Sequence, residues 1–238
     1  MRIDVRDAGV IRGRSSDDFV RRLRGREFAE PERRGKWLLA HTNGPTLLLH
    51  FGMTGSLIWA PSRDDDARFE RVVLDVGRGR LIYRDQRKLR GLWLADGDDA
   101  IAEVIGPQGP DALSLTGSRL TDRLRGHRAS LKALLMNQHI LAGLGNMLSD
   151  EVLWRARIHP ARRFCDLDAS ECRRLDRSLQ QVLRASVREA MIPRGSRWLN
   201  SQRSAADPRC PRCHGELCTS RIGGRTSYWC PICQPSTT

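Results

Sequence analysis

The chain has 238 residues, enough for one large domain or two small ones, each with a core of its own. Its 41 basic residues against 28 acidic ones leave a formal charge of +13, an excess that favours a polyanionic partner. With no apolar run near the eighteen or so residues of a membrane span and no secretory signal at the start, the expected partner is nucleic acid, not a membrane, and the expected compartment is the cytoplasm. The excess is uneven: residues 101–238 carry 21 basic and 12 acidic side chains, and residues 1–100 carry 20 and 16. Arginine supplies 38 of the cations, as a GC-rich genome would write them. The three lysines, Lys36, Lys88 and Lys132, are therefore the informative ones, because an ammonium can lose its proton where a guanidinium cannot. Seven cysteines, an odd number without an export signal, argue for a reducing compartment and against a disulfide framework.

In chain order, Ser15-Ser16-Asp17-Asp18 before Phe19, Val20 and Leu23 predicts a capped short helix closed by Gly25. Lys36 to His41 and Pro45 to Phe51, joined by Asn43-Gly44, predict a hairpin. Ser56 to Ala60, Phe69 to Val76, and Arg80 to Arg84 beyond the Gly77-Arg78-Gly79 turn continue the run of short strands expected of an antiparallel sandwich or barrel. Asp64-Asp65-Asp66 reads as a solvated loop. Gly106-Pro107-Gln108-Gly109-Pro110-Asp111 cannot continue a helix or a central strand and predicts a domain boundary.

Helical character follows. Ser130 to Pro160 reads as a short apolar helix, two turns and a second helix opening at Gly145-Asn146. Asn137 is placed as the left-handed residue ending the first helix, and Gly143 and Gly145 allow a tight backbone before the second. A helix N-terminus behind such a turn offers unpaired N–H groups and a positive dipole end, which suits a phosphate. Ser170 to Met191 predicts an amphipathic helix with Leu175, Leu179, Val182, Leu183, Val187, Ala190 and Met191 inward and Arg173, Arg174, Arg177, Arg184 and Arg188 solvated. Cys165 and Cys172 are expected to be idle thiols.

Near the end, Cys210-Pro-Arg-Cys213 and Cys230-Pro-Ile-Cys233 supply two knuckles, hence four thiolates for one structural, tetrahedral zinc. The residues between them fit a β-hairpin, roughly Leu217 to Trp229 with a turn at Gly223-Gly224, carrying Arg221 and Arg225 toward a phosphate or base edge. His214 and Cys218 are rival ligands. The implied organisation is α+β and multidomain: a β-sandwich over residues 1–105, a helical domain over 112–200 and a zinc-ribbon hairpin over 201–238.

These pieces together resemble the formamidopyrimidine-DNA glycosylase and endonuclease VIII family of base-excision-repair enzymes. The resemblance is carried by Arg33-Arg34-Gly35-Lys36, His50-Phe51-Gly52-Met53-Thr54-Gly55-Ser56-Leu57, Asp85-Gln86-Arg87-Lys88, Gly106-Pro107, Ser130 to Pro160 and Arg225 to Gln234. It implies an N-terminal antiparallel β-sandwich, a helix-two-turn-helix domain and a zinc hairpin gripping duplex DNA with damaged bases or abasic sites, in a protein that works as a monomer. It further implies proton transfer in β-elimination at Lys36 and entry of Met53 into the space left by an everted base. Arg87 would pair with the widowed opposite base, Lys132, Gly145 and Asn146 would contact DNA, with Asn146 on a phosphate, and Arg225 would grip the phosphate flanking the lesion and assist δ-elimination.

Three departures stand out. Leu89 and Arg90 occupy positions where the family often has Phe and usually Gly, and the strand before Asp85 lacks a clear counterpart of a family DNA-contacting histidine, Phe69 or Arg71 occupying that neighbourhood. Most consequential, the family's first residues are Pro-Glu, the proline amine attacking the sugar C1′, whereas this sequence begins Met1-Arg2-Ile3-Asp4-Val5. The expectation is either a start placed at an internal methionine or a catalytically impaired protein that binds damaged DNA or abasic sites. A zinc-ribbon transcription or ribosome-associated factor would account for the cysteines but not for Met53 and Arg87.

Overall fold

The computed structural model describes residues 1–61 and 68–236; the Asp64-Asp65-Asp66 loop lies outside the described residues. The chain divides into two compact units, Met1–Pro107 and Gln108–Thr238.

The first unit comprises β1 (Arg2–Val5), α1 (Ser16–Leu23), β2 (Glu32–Arg34), β3 (Trp37–Ala40), β4 (Thr46–His50), β5 (Ser56–Ala60), β6 (Glu70–Asp75), β7 (Arg80–Arg84), β8 (Gly91–Ala95) and α2 (Gly97–Ile105). Two antiparallel four-stranded sheets result, ordered β1-β6-β7-β5 and β2-β3-β4-β8. Leu47 and Leu49 of one sheet meet Val72, Leu74 and Tyr83 of the other, and Phe19 and Leu23 of α1 join the same core. The opposite face of β3 and β4, with Trp37, Leu39 and Leu48, is covered by Ile101 of α2. That double coverage explains the unbroken apolar run at Leu47-Leu48-Leu49, where a strand with one wet face would alternate.

Local sequence accounts for much of this. The Ser15 hydroxyl accepts from the Asp18 N–H and starts α1. Gly35, at φ +58°, opens a two-residue turn between Arg34 and Trp37, so Lys36 stands at the hairpin tip. The Asn43-Gly44 hairpin pairs Trp37 with His50 and Ala40 with Leu47. Neither turn residue has positive φ, however: the connection is a longer loop closed by the Thr42 hydroxyl donating to the Pro45 carbonyl at 2.7 Å. Strands β1, β2 and β8 and helix α2 carry no strong signal of their own and are held by pairing and burial.

The second unit contains α3 (Ser118–Leu124), α4 (Leu131–Met136), α5 (Asn146–Ala156), α6 (Ala169–Arg188), a 3-10 turn at Leu199–Ser204, and the hairpin β9 (Cys218–Ile222) and β10 (Arg225–Trp229). Leu131, Leu134 and Leu135 of α4, Val152 and Leu153 of α5, and Leu175, Leu179, Val182 and Leu183 of α6 form its core. The cysteine-rich hairpin shares a cluster with Trp154 of α5 and Leu199 and so packs within this unit. Asp168 and Glu171 cap α6 reciprocally. Its apolar stripe ends earlier than the periodicity predicts: Val187 and Met191 are 61% and 59% exposed and Ala190 is exposed too, because none of the described residues covers this end of the helix. Asn137 also departs from expectation. Its backbone is extended (φ −77°, ψ 110°) and its side chain accepts from the His139 N–H at 3.0 Å, so an Asx turn replaces the left-handed cap.

Gly91 tests the sandwich closure. It sits at φ +150°, and a Cβ there would lie 2.0 Å from the Val10 carbonyl oxygen. Gly91→Ala is expected to destabilise the first unit by about 3 kcal/mol or more, read as a fall in melting temperature; a melt like that of the wild type would show that the close approach relaxes freely.

Candidate nucleic-acid interface and cysteine cluster

In the first unit, Met53 and Arg87 come from loops 34 residues apart and are brought together by one buried carboxylate. Asp85 is 1% exposed; its Oδ1 accepts from the Thr54 hydroxyl at 2.6 Å and from the Arg87 N–H at 3.1 Å. The Arg87 N–H also reaches the Thr54 hydroxyl oxygen at 3.1 Å, and the backbone carbonyl of Asp85 accepts from Arg71 Nε at 2.8 Å. Mounted on this base, the Met53 side chain is 73% exposed and the Arg87 guanidinium donates to its sulfur at 3.2 Å. An exposed thioether beside a cation on a fixed loop is suited to entering an apolar space and pairing a polar edge at once. Lys88, at φ +50°, is tied to Asp7 at 3.0 Å, and that ammonium, with the Gly9 N–H, holds the Asp7 carboxyl below the usual carboxylate range.

His50 organises the approach to Met53. Its Nδ1 accepts from the Gly52 N–H at 3.0 Å, which places the ring proton on Nε2, and the ring packs edge-on against Trp37. Burial pulls His50 down to about 4, with the charges of Arg90 and Lys36 adding to the effect. Lys36 thus lies in a region where a positive charge is felt at His50.

In the second unit, helix α5 meets the hairpin along one stripe spaced four residues apart. Asn146 Nδ2 donates to the Thr226 carbonyl at 3.1 Å, Asp150 Oδ2 accepts from the Tyr228 N–H at 3.2 Å, and Trp154 Nε1 donates to Cys210 Sγ at 3.3 Å. Asp150 is 1% exposed and takes Lys132 Nζ and Arg203 Nη1, each at 2.6 Å. Lys132 Nζ and Arg203 Nη2 also reach the Thr226 carbonyl at 3.3 and 3.4 Å. Burial lowers the Lys132 ammonium and raises the Asp150 carboxyl, each opposed by its partner's charge. Lys132 is fully buried, and its ammonium is held by Asp150 and by the Thr226 carbonyl of the strand that carries Arg225.

Asn146 opens α5, while Gly145, extended at φ −119°, makes no side-chain cap. The first N–H groups of the helix are therefore not consumed by a cap, as an anion site requires. Among the described residues Asn146 Oδ1 has no hydrogen-bond partner. Arg225 is exposed at the start of β10, one residue from the Thr226 carbonyl to which Asn146 bonds. Gly223 and Gly224, at φ +59° and +74°, make the tight turn behind it.

The Sγ atoms of Cys210, Cys213, Cys230 and Cys233 lie within 4.8 Å of one another; Cys210–Cys233 and Cys213–Cys230 are 3.9 and 3.4 Å apart. A tetrahedral ion with sulfurs about 2.3 Å away sets them about 3.8 Å apart, so the cluster fits a metal. The N–H groups of Arg212 and Cys233 point to Cys210 and Cys230 Sγ at 3.5 and 3.4 Å, which suits thiolates. His214 and Cys218 are not part of the cluster. Gln234, 1% exposed, accepts from the Cys230 N–H at 3.0 Å and donates to the Ile158 carbonyl at 2.8 Å, clasping the knuckle to α5.

Asp85 and Gln234 enter the sequence patterns only as the ends of the stretches Asp85-Gln86-Arg87-Lys88 and Arg225 to Gln234, and Asp150 and Arg203 are not singled out there as site residues. Asp150 alone had a readable signal, four residues after Asn146 on the same helical face. Glu151, next to it, is pushed up to about 7 by burial, with Arg155 at 2.9 Å and the Asn200 N–H at 3.2 Å opposing.

Two expectations follow. Lys132→Met leaves Asp150 short of a cation in a buried site and should cost about 3–5 kcal/mol of stability, measured by denaturation; an unchanged unfolding midpoint would exclude the ion pair as a structural anchor. For His50, the lowered folded value means that its contribution is present above about 6.5 and is lost as pH falls toward 4. With partial solvent exposure taken into account the loss is on the order of 1–2 kcal/mol; His50→Asn should flatten the stability difference between pH 7 and pH 4.5, and an unaltered pH slope would remove His50 as its source.

Residues 1–92 match the family model described as the formamidopyrimidine-DNA glycosylase N-terminal domain, and residues 105–194 match the formamidopyrimidine-DNA glycosylase H2TH domain. The chain is 36% identical over 236 residues to the formamidopyrimidine-DNA glycosylase of Chloroflexus aurantiacus, covering 92% of this chain and 84% of that protein. To the Geobacter sulfurreducens enzyme it is 35% identical, with 90% and 84% covered. Among solved structures, the Lactococcus lactis Fpg in complex with abasic-site DNA superposes with a TM-score of 0.82 at 25% identity, over 99% of this chain and 92% of that one. The same protein with FAPY-dG DNA gives 0.81 at 25% identity, over 99% and 92%. A two-sheet sandwich carrying Met53 and Arg87, a helix pair opening at Asn146 and a four-cysteine hairpin carrying Arg225 thus occur in a chain alike in sequence along nearly its whole length, and the chain belongs to the formamidopyrimidine-DNA glycosylase family.

Proposed function

We propose that this protein is a base-excision-repair DNA glycosylase with abasic-site lyase activity, acting in the cytoplasm on duplex DNA that carries oxidised bases or abasic sites. The observation that supports it most is the mounting of exposed, DNA-suited side chains on buried carboxylates: Met53 and Arg87 over Asp85, and the strand of Arg225 over Asp150. Relatives at 36% and 35% identity named as formamidopyrimidine-DNA glycosylases, and the L. lactis Fpg complexes with abasic-site and FAPY-dG DNA, support the same reading. Among the described residues no helix is long and apolar enough to cross a membrane.

In this reading Met53 fills the gap left by an everted base and Arg87 meets the base opposite. The target nucleotide has to leave the stack for its glycosidic bond to be reached, and an apolar wedge offsets part of the unstacking. Asn146 Nδ2, whose second hydrogen is not needed by Thr226, and the N–H groups at the start of α5 take a phosphate, while Arg225 takes the phosphate flanking the lesion. Lys36, near neutral His50, serves proton transfer in β-elimination: a proton leaves C2′ of the ring-opened sugar as the C3′–O bond breaks. The attack on C1′ requires an amine that carries a lone pair. Residues 2–5 here form an edge strand paired with β6, and the family's Pro-Glu is not among them. The four cysteines would hold one structural zinc, which would close the base of the hairpin.

A duplex with a tetrahydrofuran abasic-site analogue tests the binding. Five phosphate contacts would give a log–log salt slope of about −4.5; Met53→Ala should chiefly erode preference for the abasic analogue over undamaged duplex, and Asn146→Ala should weaken both alike. Equal effects of the two substitutions would reverse the assigned roles. Borohydride trapping on abasic-site DNA tests the lyase chemistry: a covalent adduct would show that an amine of this protein attacks C1′, and its absence would leave abasic-site binding without lyase action. Elemental analysis should find one zinc per chain, and its removal by a chelator should loosen the hairpin and weaken duplex binding; full binding by metal-free protein would overturn the zinc assignment.

A further inference from the structure

Arg90 lies in the loop that follows Asp85, and its surroundings differ from those of its neighbours. The Lys88 ammonium is held by Asp7 and the Arg87 guanidinium leans on the Met53 sulfur. Arg90 is exposed, and among the described residues no carboxylate lies within ion-pair range of its guanidinium. Its main chain is nevertheless fixed. Arg12 donates from Nε and Nη2 to the Arg90 carbonyl at 3.0 and 2.7 Å, and from Nη2 to the Lys88 carbonyl at 2.6 Å, so one side chain straps the loop at two points. The stem of Arg90 is placed as well: its Cβ and Cγ lie 3.6 Å from the point where a side chain on Gly52 would begin, against the turn that presents Met53. Its charge is felt at His50, under the same turn.

A guanidinium with a packed stem, a strapped backbone and no internal acceptor has lost part of its conformational freedom without spending its donors. Such a group is prepared for an external anion with planar, bidentate geometry. We propose that Arg90 is a further DNA-contacting residue, its guanidinium taking phosphodiester oxygens beside the base step that Met53 enters. The proposal rests on the DNA-binding reading above. The backbone at position 90 is not left-handed, so a side chain there is accommodated without strain, and the position is free to carry a contact made by the side chain alone.

The test compares Arg90→Gln, Arg90→Lys and the wild-type chain on a tetrahydrofuran-containing duplex and its undamaged counterpart, by fluorescence anisotropy over a series of salt concentrations. Arg184→Gln, on the solvated face of α6, removes the same net charge elsewhere. Arg90→Gln should reduce the magnitude of the salt slope by about 0.9 and weaken both duplexes by the same factor whichever base lies opposite. Arg90→Lys should keep the slope, and Arg184→Gln should leave it near that of the wild type. A slope for Arg90→Gln equal to the wild type's, with an unchanged melting temperature, would overturn the proposal. So would a loss that depends on the opposite base, which would make Arg90 a base reader, or an equal loss in Arg184→Gln, which would reduce the effect to net charge. Absence of any duplex binding by the wild-type chain would sink the DNA-binding reading itself, and Arg90 with it.

Discussion

Burying a carboxylate is costly unless its oxygens are saturated with donors, and at Asp150 that requirement ties together four pieces of chain. Lys132 arrives from α4, Arg203 from the 3-10 turn and the Tyr228 N–H from β10, all converging on a side chain of α5. None of these segments can shift without leaving a charge unpaired in the interior. The Thr226 carbonyl, which takes donors from Lys132, Asn146 and Arg203, extends the same network to the residue after Arg225. Arg225 is exposed, but the strand beneath it is held from inside.

The first unit repeats the arrangement with a different set of donors. Asp85 is saturated by a hydroxyl and a backbone N–H in place of ammonium and guanidinium, so the node is less charged and belongs to loops, not to a helix. Its effect is comparable: two loops far apart in sequence acquire one geometry, and the side chains they project, Met53 and Arg87, touch. In both units the groups facing solvent are those suited to DNA, and the groups facing inward decide where they stand. Precision at an exposed site therefore comes from polar saturation below it, since exposed side chains by themselves lose too much conformational freedom to be positioned cheaply.

The cysteine cluster completes the anchoring of the hairpin. Trp154, the third member of the α5 stripe, donates to Cys210, and Gln234 joins the second knuckle to the end of α5. A two-stranded ribbon has little stability alone. Here it is fastened near its base by the contacts of Trp154 with Cys210 and of Gln234 with Ile158, and along its length by Asn146 and Asp150, which accounts for its belonging to the helical unit and not standing apart.

By itself the sequence determined what depends on neighbours a few residues away. The Ser15 cap, the glycine turn at Gly223-Gly224, the cysteine knuckles, the opening of α5 at Asn146 and the strands at Ser56 to Ala60 and Arg80 to Arg84 all follow from local rules of φ, capping, spacing and alternation. Tertiary structure alone decided the rest. Lys132 stands out as a rare lysine in an arginine-rich chain, yet nothing local reveals that Asp150 will draw it inward, because the ion pair joins residues 18 apart on different helices. Val187 and Met191 continue the apolar stripe of α6 in sequence, yet none of the described residues covers them, since periodicity reports which face is apolar and not how far the neighbouring element extends. Strands β1, β2 and β8 form because edges of existing sheets offer unpaired N–H and C=O groups, a condition created by the fold and absent from their own residues. Asp85 and Arg12 carry the same lesson at the site: their importance lies in the loops they join, and that adjacency comes into being only when the sandwich closes.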